Sequence, residues 1–217
     1  FGHGGDELDS GGNVELSGGE SLKGVGGAIQ VSSGAGFVSS GDATVRTADS
    51  SGSSGRAKLA SGASGDSSGG VSIATGPAAG AAGGIQLVVG NSEGSSGGEV
   101  HVVAGSTQKD SQGGSIRIFA GDSTNVGGAV DISTGAGDTG SSGSIGITTA
   151  TGSAAGSGDV NIHTGDAPSG SAGDVNLQAG STKLASGARA TLGAPVGGDG
   201  GRITLTSGTA DNGLSGA

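Results

Sequence analysis

One eight-residue phrase returns fourteen times along this chain of 217 residues. It runs glycine, any residue, aliphatic, any residue, aliphatic, any residue, small residue, glycine. Successive copies begin at positions 12, 27, 41, 55, 69, 83, 98, 114, 128, 143, 158, 173, 188 and 201. Examples are Gly-Asn-Val-Glu-Leu-Ser-Gly-Gly from Gly12 and Gly-Asp-Val-Asn-Ile-His-Thr-Gly from Gly158. The spacing averages about fourteen and a half residues, within the range of short β-helical repeats.

The fifth position of the phrase is the least negotiable. Its occupants are Leu16, Val31, Val45, Leu59, Ile73, Leu87, Val102, Ile118, Ile132, Ile147, Ile162, Leu177, Leu192 and Leu205. The third position is Val or Ile in eleven copies and Ala in three, at Ala43, Ala57 and Ala190. The seventh is almost always Gly, Ala, Ser or Thr. Three alternate positions pointing one way are the period-2 signature of a strand with one buried face. A core built from these slots is led by Val14, Leu16, Ile29, Val31, Ile73, Leu87, Ile118, Ile132, Ile147, Ile162, Leu177 and Leu205.

Composition points elsewhere. Gly makes up 54 of the residues, only 13% are charged and 1% aromatic, as in low-complexity, disordered sequence. The repeated register argues against that assignment, because a linker has no reason to keep an aliphatic at every second residue. Collagen is excluded, since Gly does not recur every third residue. No apolar run approaches the ~18 residues of a membrane span. The absence of Cys removes disulfides and thiol chemistry together.

Sorting the copies by parity suggests an arrangement. Odd copies carry Val14, Ala43, Val71, Val100, Val130, Val160 and Ala190 at the third position. Even copies carry Ile29, Ala57, Ile85, Ile116, Ile145, Val175 and Ile203. The near alternation predicts an all-β, parallel two-sheet β-solenoid, with two repeats per coil and about seven coils. Such a solenoid would be roughly 30–35 Å long, with its sheets about 10 Å apart. An antiparallel meander is the competing arrangement. Residues 1–11 are expected to be an amino-terminal segment, and 12–217 a single solenoid continuing in a longer array.

Parity also sorts the outward charges. Odd phrases expose Glu15, Asp42, Glu99, Asp131 and Asp159 against Arg46 and Arg189, whereas even phrases expose Arg56, Lys58, Arg117 and Arg202 against Asp174. Val88 and Phe119 share one outward slot in even copies. These residues form a candidate lateral interface between copies, with electrostatics setting orientation. Open strand ends would add end-to-end contact.

Catalytic chemistry finds little support, and the chain is expected not to be an enzyme. His3, His101 and His163 have no sequence-local partner of a catalytic type. No helix is expected to follow the Gly-rich stretches, as phosphate loops require. Gly197-Gly-Asp-Gly-Gly-Arg-Ile203 is superficially like a calcium-binding nonapeptide, but the aspartates keep no fixed place. Calcium on the acidic arcs is the weaker alternative to hydrated carboxylates, and no other cofactor is expected. The formal net charge of −10 and the scarcity of aromatic residues argue against nucleic acid. Arc Ser and Thr are at most acceptors for O-linked sugar.

The Gly-Gly-x-Val-x-Ile-x-small-Gly unit over residues 12–217 resembles the Gly/Ser-rich regions of very large secreted or surface proteins of diatoms, related algae and some bacteria. At 188–195 the pattern departs from the repeat, with Ala188 and Pro195 in place of both framing glycines. The resemblance implies an extracellular matrix, wall or filament role and carries over no catalytic residue. The expectation is an extracellular or cell-surface fibre or stalk that associates with itself. A polysaccharide-binding adhesin or β-helical carbohydrate-active protein is the alternative, followed by an ice-binding solenoid. Glycans are the further candidate partners; neither nucleic acid nor a membrane span is expected.

Overall fold

A computed structural model describes residues 11–94, 96–108, 111–152, 156–182, 187–194 and 201–207. Among these residues there is no helix and no strand, and none is buried. This overturns the expected parallel two-sheet β-solenoid with its seven coils. The solenoid required each phrase to stack on the phrase two copies away. The observed links instead join consecutive phrases, at eleven junctions among the described residues.

The chain divides into two units, Phe1–Val103 and Ala104–Ala217, with the division inside the seventh phrase. In the first unit the amide of Gly27 donates to the Gly19 carbonyl at 2.8 Å, and that of Gly41 to Gly34 at 3.0 Å. In the second unit Gly114 donates to Gly105 at 2.9 Å, Gly128 to Gly121 at 2.9 Å and Gly143 to Gly135 at 3.1 Å. Each bond runs from the first glycine of a phrase to the last glycine of the phrase before it. Each closes an arc of six to eight intervening residues into a loop whose ends meet, an Ω-loop in form. The place where the ends meet is here called a neck.

The small seventh residue belongs to the same neck. A Cβ placed on Gly41 would stand 3.8 Å from Ser33 Cβ, on Gly55 3.9 Å from Thr47 Cβ, and on Gly143 3.2 Å from Thr134 Cβ. Eleven successive junctions, from Gly18 with Gly27 to Thr164 with Gly173, show this pairing of seventh residue and next first glycine. Glycine is required where the approach is closest. A Cβ on Gly27 would lie 2.8 Å from the Gly19 amide nitrogen, and one on Gly18 would strike the Gly27 carbonyl. Thr47, Ala104 and Ala179, all at the seventh position, are the only described residues that are even half-buried.

Within the arcs, serine side chains supply the turns. Ser21 Oγ accepts from the Gly24 amide at 3.0 Å, Ser50 from Gly52 at 3.1 Å, Ser64 from Asp66 at 3.2 Å and Ser123 from Asn125 at 3.1 Å. A hydroxyl bonded to a backbone amide two or three residues on is the local alternative to a helix or a ladder. In the arc after the tenth phrase the chain turns at Gly156, whose φ of +97° suits glycine alone.

The slots expected to form the core lie open. Val14, Leu16, Ile29, Val31, Ile73, Leu87, Ile118, Ile132, Ile147, Ile162, Leu177 and Leu205 are all exposed. The two slots nevertheless differ. Fifth-position residues range from 65% (Val102) to 94% (Val45) exposed, whereas the Val and Ile of the third position range only from 47% (Ile203) to 62% (Ile85), apart from Val14 at 84%. In the phrases that follow a described neck the third position lies two residues beyond it, and Ile203, the least exposed of the set, follows no described neck.

Why no sheet forms follows from the same geometry. One hydrogen bond at a neck does not start a ladder, and two aliphatic slots per phrase supply little burial to offset ordering a glycine-rich backbone. The ordering cost is met locally, one loop at a time, and no phrase forms a strand among the described residues.

The chain has no native Cys, so a neck can be tested by cross-linking. The 3.9 Å between Thr47 Cβ and a Cβ at position 55 falls in the disulfide range. The double variant Thr47→Cys/Gly55→Cys is expected to oxidise to an intramolecular disulfide in air. Thr47→Cys/Gly70→Cys is the control and is expected to stay reduced in dilute solution. Mass spectrometry after alkylation reads the outcome, and equal oxidation of both pairs would contradict the neck.

Candidate interaction surface

A neck does more than close an arc, because it brings the apolar positions of consecutive phrases toward one another. In the first unit Val45 of phrase 41–48 and Ala57, Lys58 and Leu59 of phrase 55–62 border one shallow depression open to solvent, with Val45 94% and Leu59 75% exposed. The touching pair, Thr47 with Gly55, and the lining pair, Val45 with Ala57, lie symmetrically about the arc. That is the relation of two chain segments leaving a neck side by side in opposite directions. Lys58 contributes its aliphatic stem to the wall, while the side chain as a whole stays exposed.

The candidate lateral residues are all at the surface. Glu15, Asp42, Arg56, Lys58, Val88 and Glu99 are exposed in the first unit, and Arg117, Phe119, Asp131, Asp159 and Arg202 in the second. Val88 and Phe119, expected as neighbours on one sheet, thus belong to different units. Arg46 stands 3.8 Å from Asp49 as an exposed i, i+3 pair. Surface pairs of this kind contribute about 0–1 kcal/mol, so this one does not organise the surface.

Chemistry has no assembled centre here. Among the described residues no three His, Asp or Glu side chains come together as a metal site would need. His101 and His163 are exposed. His3, Asp6, Glu7, Asp9 and Asp110 lie outside the described residues, as do positions 197–200 of the nonapeptide-like stretch. No helix among the described residues is long and apolar enough to cross a membrane.

Sequence reasoning did not anticipate the necks. Two signals for them were in view: the glycines at both ends of the phrase, and the insistence on a small residue just before the closing glycine. Read as an inward strand slot and as part of the repeat, those residues carry no sign of a neck. Read together across an arc, they are a close backbone approach.

No protein family, curated protein or solved structure matches the chain.

The depression predicts a shared response from two phrases. On addition of a small apolar solute such as benzene, methyl resonances of Val45, Ala57 and Leu59 are expected to shift together in NMR spectra. Val45→Ser is expected to reduce the shift at Leu59, since one of the depression's four lining residues loses its apolar side chain. An unchanged Leu59 response would mean that the two phrases bind the solute separately.

Proposed function

We propose that this chain is a structural component of an extracellular matrix, wall or filament, and that it works by associating with further copies of itself. The observation that carries the reading is the run of aliphatic slots left open along each unit, from Leu16 and Val31 to Leu177 and Leu205. Soluble single chains seldom leave so much apolar side chain in water without a partner surface. Each fifth-position residue offers about 1.5–3 kcal/mol if fully covered. The repeat multiplies that modest gain along the chain, and multivalent contact turns weak sites into firm association.

The placement outside the cell rests on the resemblance of the repeat to Gly/Ser-rich regions of secreted and surface proteins. The non-enzymatic reading is supported by the exposed and dispersed titratable side chains described above. Sugar recognition draws less support. Of the three phenylalanines Phe1 lies outside the described residues, and Phe37 and Phe119 occupy an arc and a phrase in different units.

Light scattering across a concentration series tests the proposal, with electron microscopy of the product. The expected result is growth of extended or networked assemblies above a threshold concentration. Replacing Ile118, Ile132 and Ile147 together by Ser is expected to raise that threshold more than about tenfold. A chain that stays monomeric at millimolar concentration would overturn the reading.

A further inference from the structure

We infer that copies join phrase to phrase, with a basic phrase of one chain lying edge to edge against an acidic phrase of a second copy. The inference rests on the self-association proposed above and specifies its contact. Its first support is the backbone. Among the described residues, no backbone hydrogen bond engages positions two to seven of any phrase. Each phrase therefore holds a row of unused amides and carbonyls beside two aliphatic side chains spaced two apart. An unpaired edge of that kind is a template for another chain.

The second support is how charge is distributed between phrases. Phrases 12–19, 98–105, 128–135, 158–165 and 173–180 carry only acid, at Glu15, Glu99, Asp131, Asp159 and Asp174. Phrases 55–62, 114–121, 188–195 and 201–208 carry only base, at Arg56, Lys58, Arg117, Arg189 and Arg202. Phrase 41–48 alone mixes the signs, with Asp42 and Arg46. Two copies of a charged phrase therefore repel one another, and an acidic phrase prefers a basic one.

Geometry then selects the register. Set two phrases antiparallel with fourth position opposite fourth, and each third position faces a fifth, so that aliphatic meets aliphatic. The fourth positions bring Lys58 or Arg117 opposite Glu15 or Asp131. Directly opposed unlike charges favour such a pair and like charges oppose it. A slip by one residue removes the third-to-fifth match and sets each fifth position opposite a second or fourth position, most of which are polar or glycine, so the pattern disfavours it.

The consequence for the assembly is topological. A phrase that paired with its own copy would give a closed, two-fold dimer. Pairing of unlike phrases is heterologous, and every chain carries both kinds, so each contact leaves further phrases open. Growth then continues in more than one direction, which suits a network better than a discrete oligomer.

Two charge-reversal variants test the inference. In the acid-only chain Arg56, Lys58, Arg117, Arg189 and Arg202 are replaced by Glu. In the base-only chain Glu15, Glu99, Asp131, Asp159 and Asp174 are replaced by Lys, which moves the formal net charge from −10 to about zero. Each variant alone is expected to need about tenfold more protein than the natural chain to associate, and an equimolar mixture to recover the natural threshold. Added salt should weaken the mixture's association.

The base-only chain separates this pairing from general colloidal attraction, because a chain of near-zero net charge would otherwise associate more readily than the natural one. If it does so alone while the natural chain also associates, phrase pairing is wrong and self-association stands. Failure of the mixture to recover would likewise count against the pairing. If the natural chain itself never associates, both readings fail.

Discussion

Everything described in this chain depends on the contact between the last two residues of one phrase and the first glycine of the next. A backbone hydrogen bond of about 3 Å, such as that from Gly128 to Gly121, holds two points of the chain together across an arc. The approach is close enough that a side chain at Gly27 would strike the backbone of Gly19. The requirement for glycine at one side of the neck and a small residue at the other is thus steric. With the arc closed, the loop retains little freedom, and serine hydroxyls within it satisfy amides that would otherwise face only water.

What a neck does not do is equally informative. It orders one loop, but it leaves the fifth position of the following phrase in solvent. Among the described residues, each unit is therefore a series of local closures with no buried side chain. Long-range cooperativity, which in most domains comes from shared burial, has no physical carrier among the described residues. Surface left uncovered by the chain's own folding is available to other molecules, and the segregation of charge by phrase gives that availability a direction.

The repeat was fully legible in the sequence, including its length and the alternation of aliphatic with polar positions. Its use was not. Leu16, Ile73 and Ile132 read as core because period-2 spacing shows only that residues share a face, and the pattern contains no information on whether a partner covers that face. The Val and Ile alternation at the third position invited a stacking of every second phrase, a non-local pairing for which sequence offers no direct signal. The necks are local, joining residues seven to nine apart, and their marks were the framing glycines and Thr47 or Thr134 at the seventh position. The seventh position was read instead as a third inward slot of a strand, and the framing glycines were read only as part of the repeat. The exposure of Lys58, Arg117, Asp131 and Asp159 does not test their assignment to an interface, since none of the described residues is buried.

The closed arcs have a mechanical meaning as well. Each stores about 25 Å of chain behind a close glycine contact, joined at five of the necks by a backbone hydrogen bond, taking eight residues at 3.3 Å or so each. Tension applied along the chain would open necks one after another, each releasing its stored length before the covalent backbone bears the full load. On release, a loop of this size closes again in well under a microsecond. A material made from such chains would stretch in small increments, dissipate work at every step and recover its length, with glycine and serine serving as the reserve.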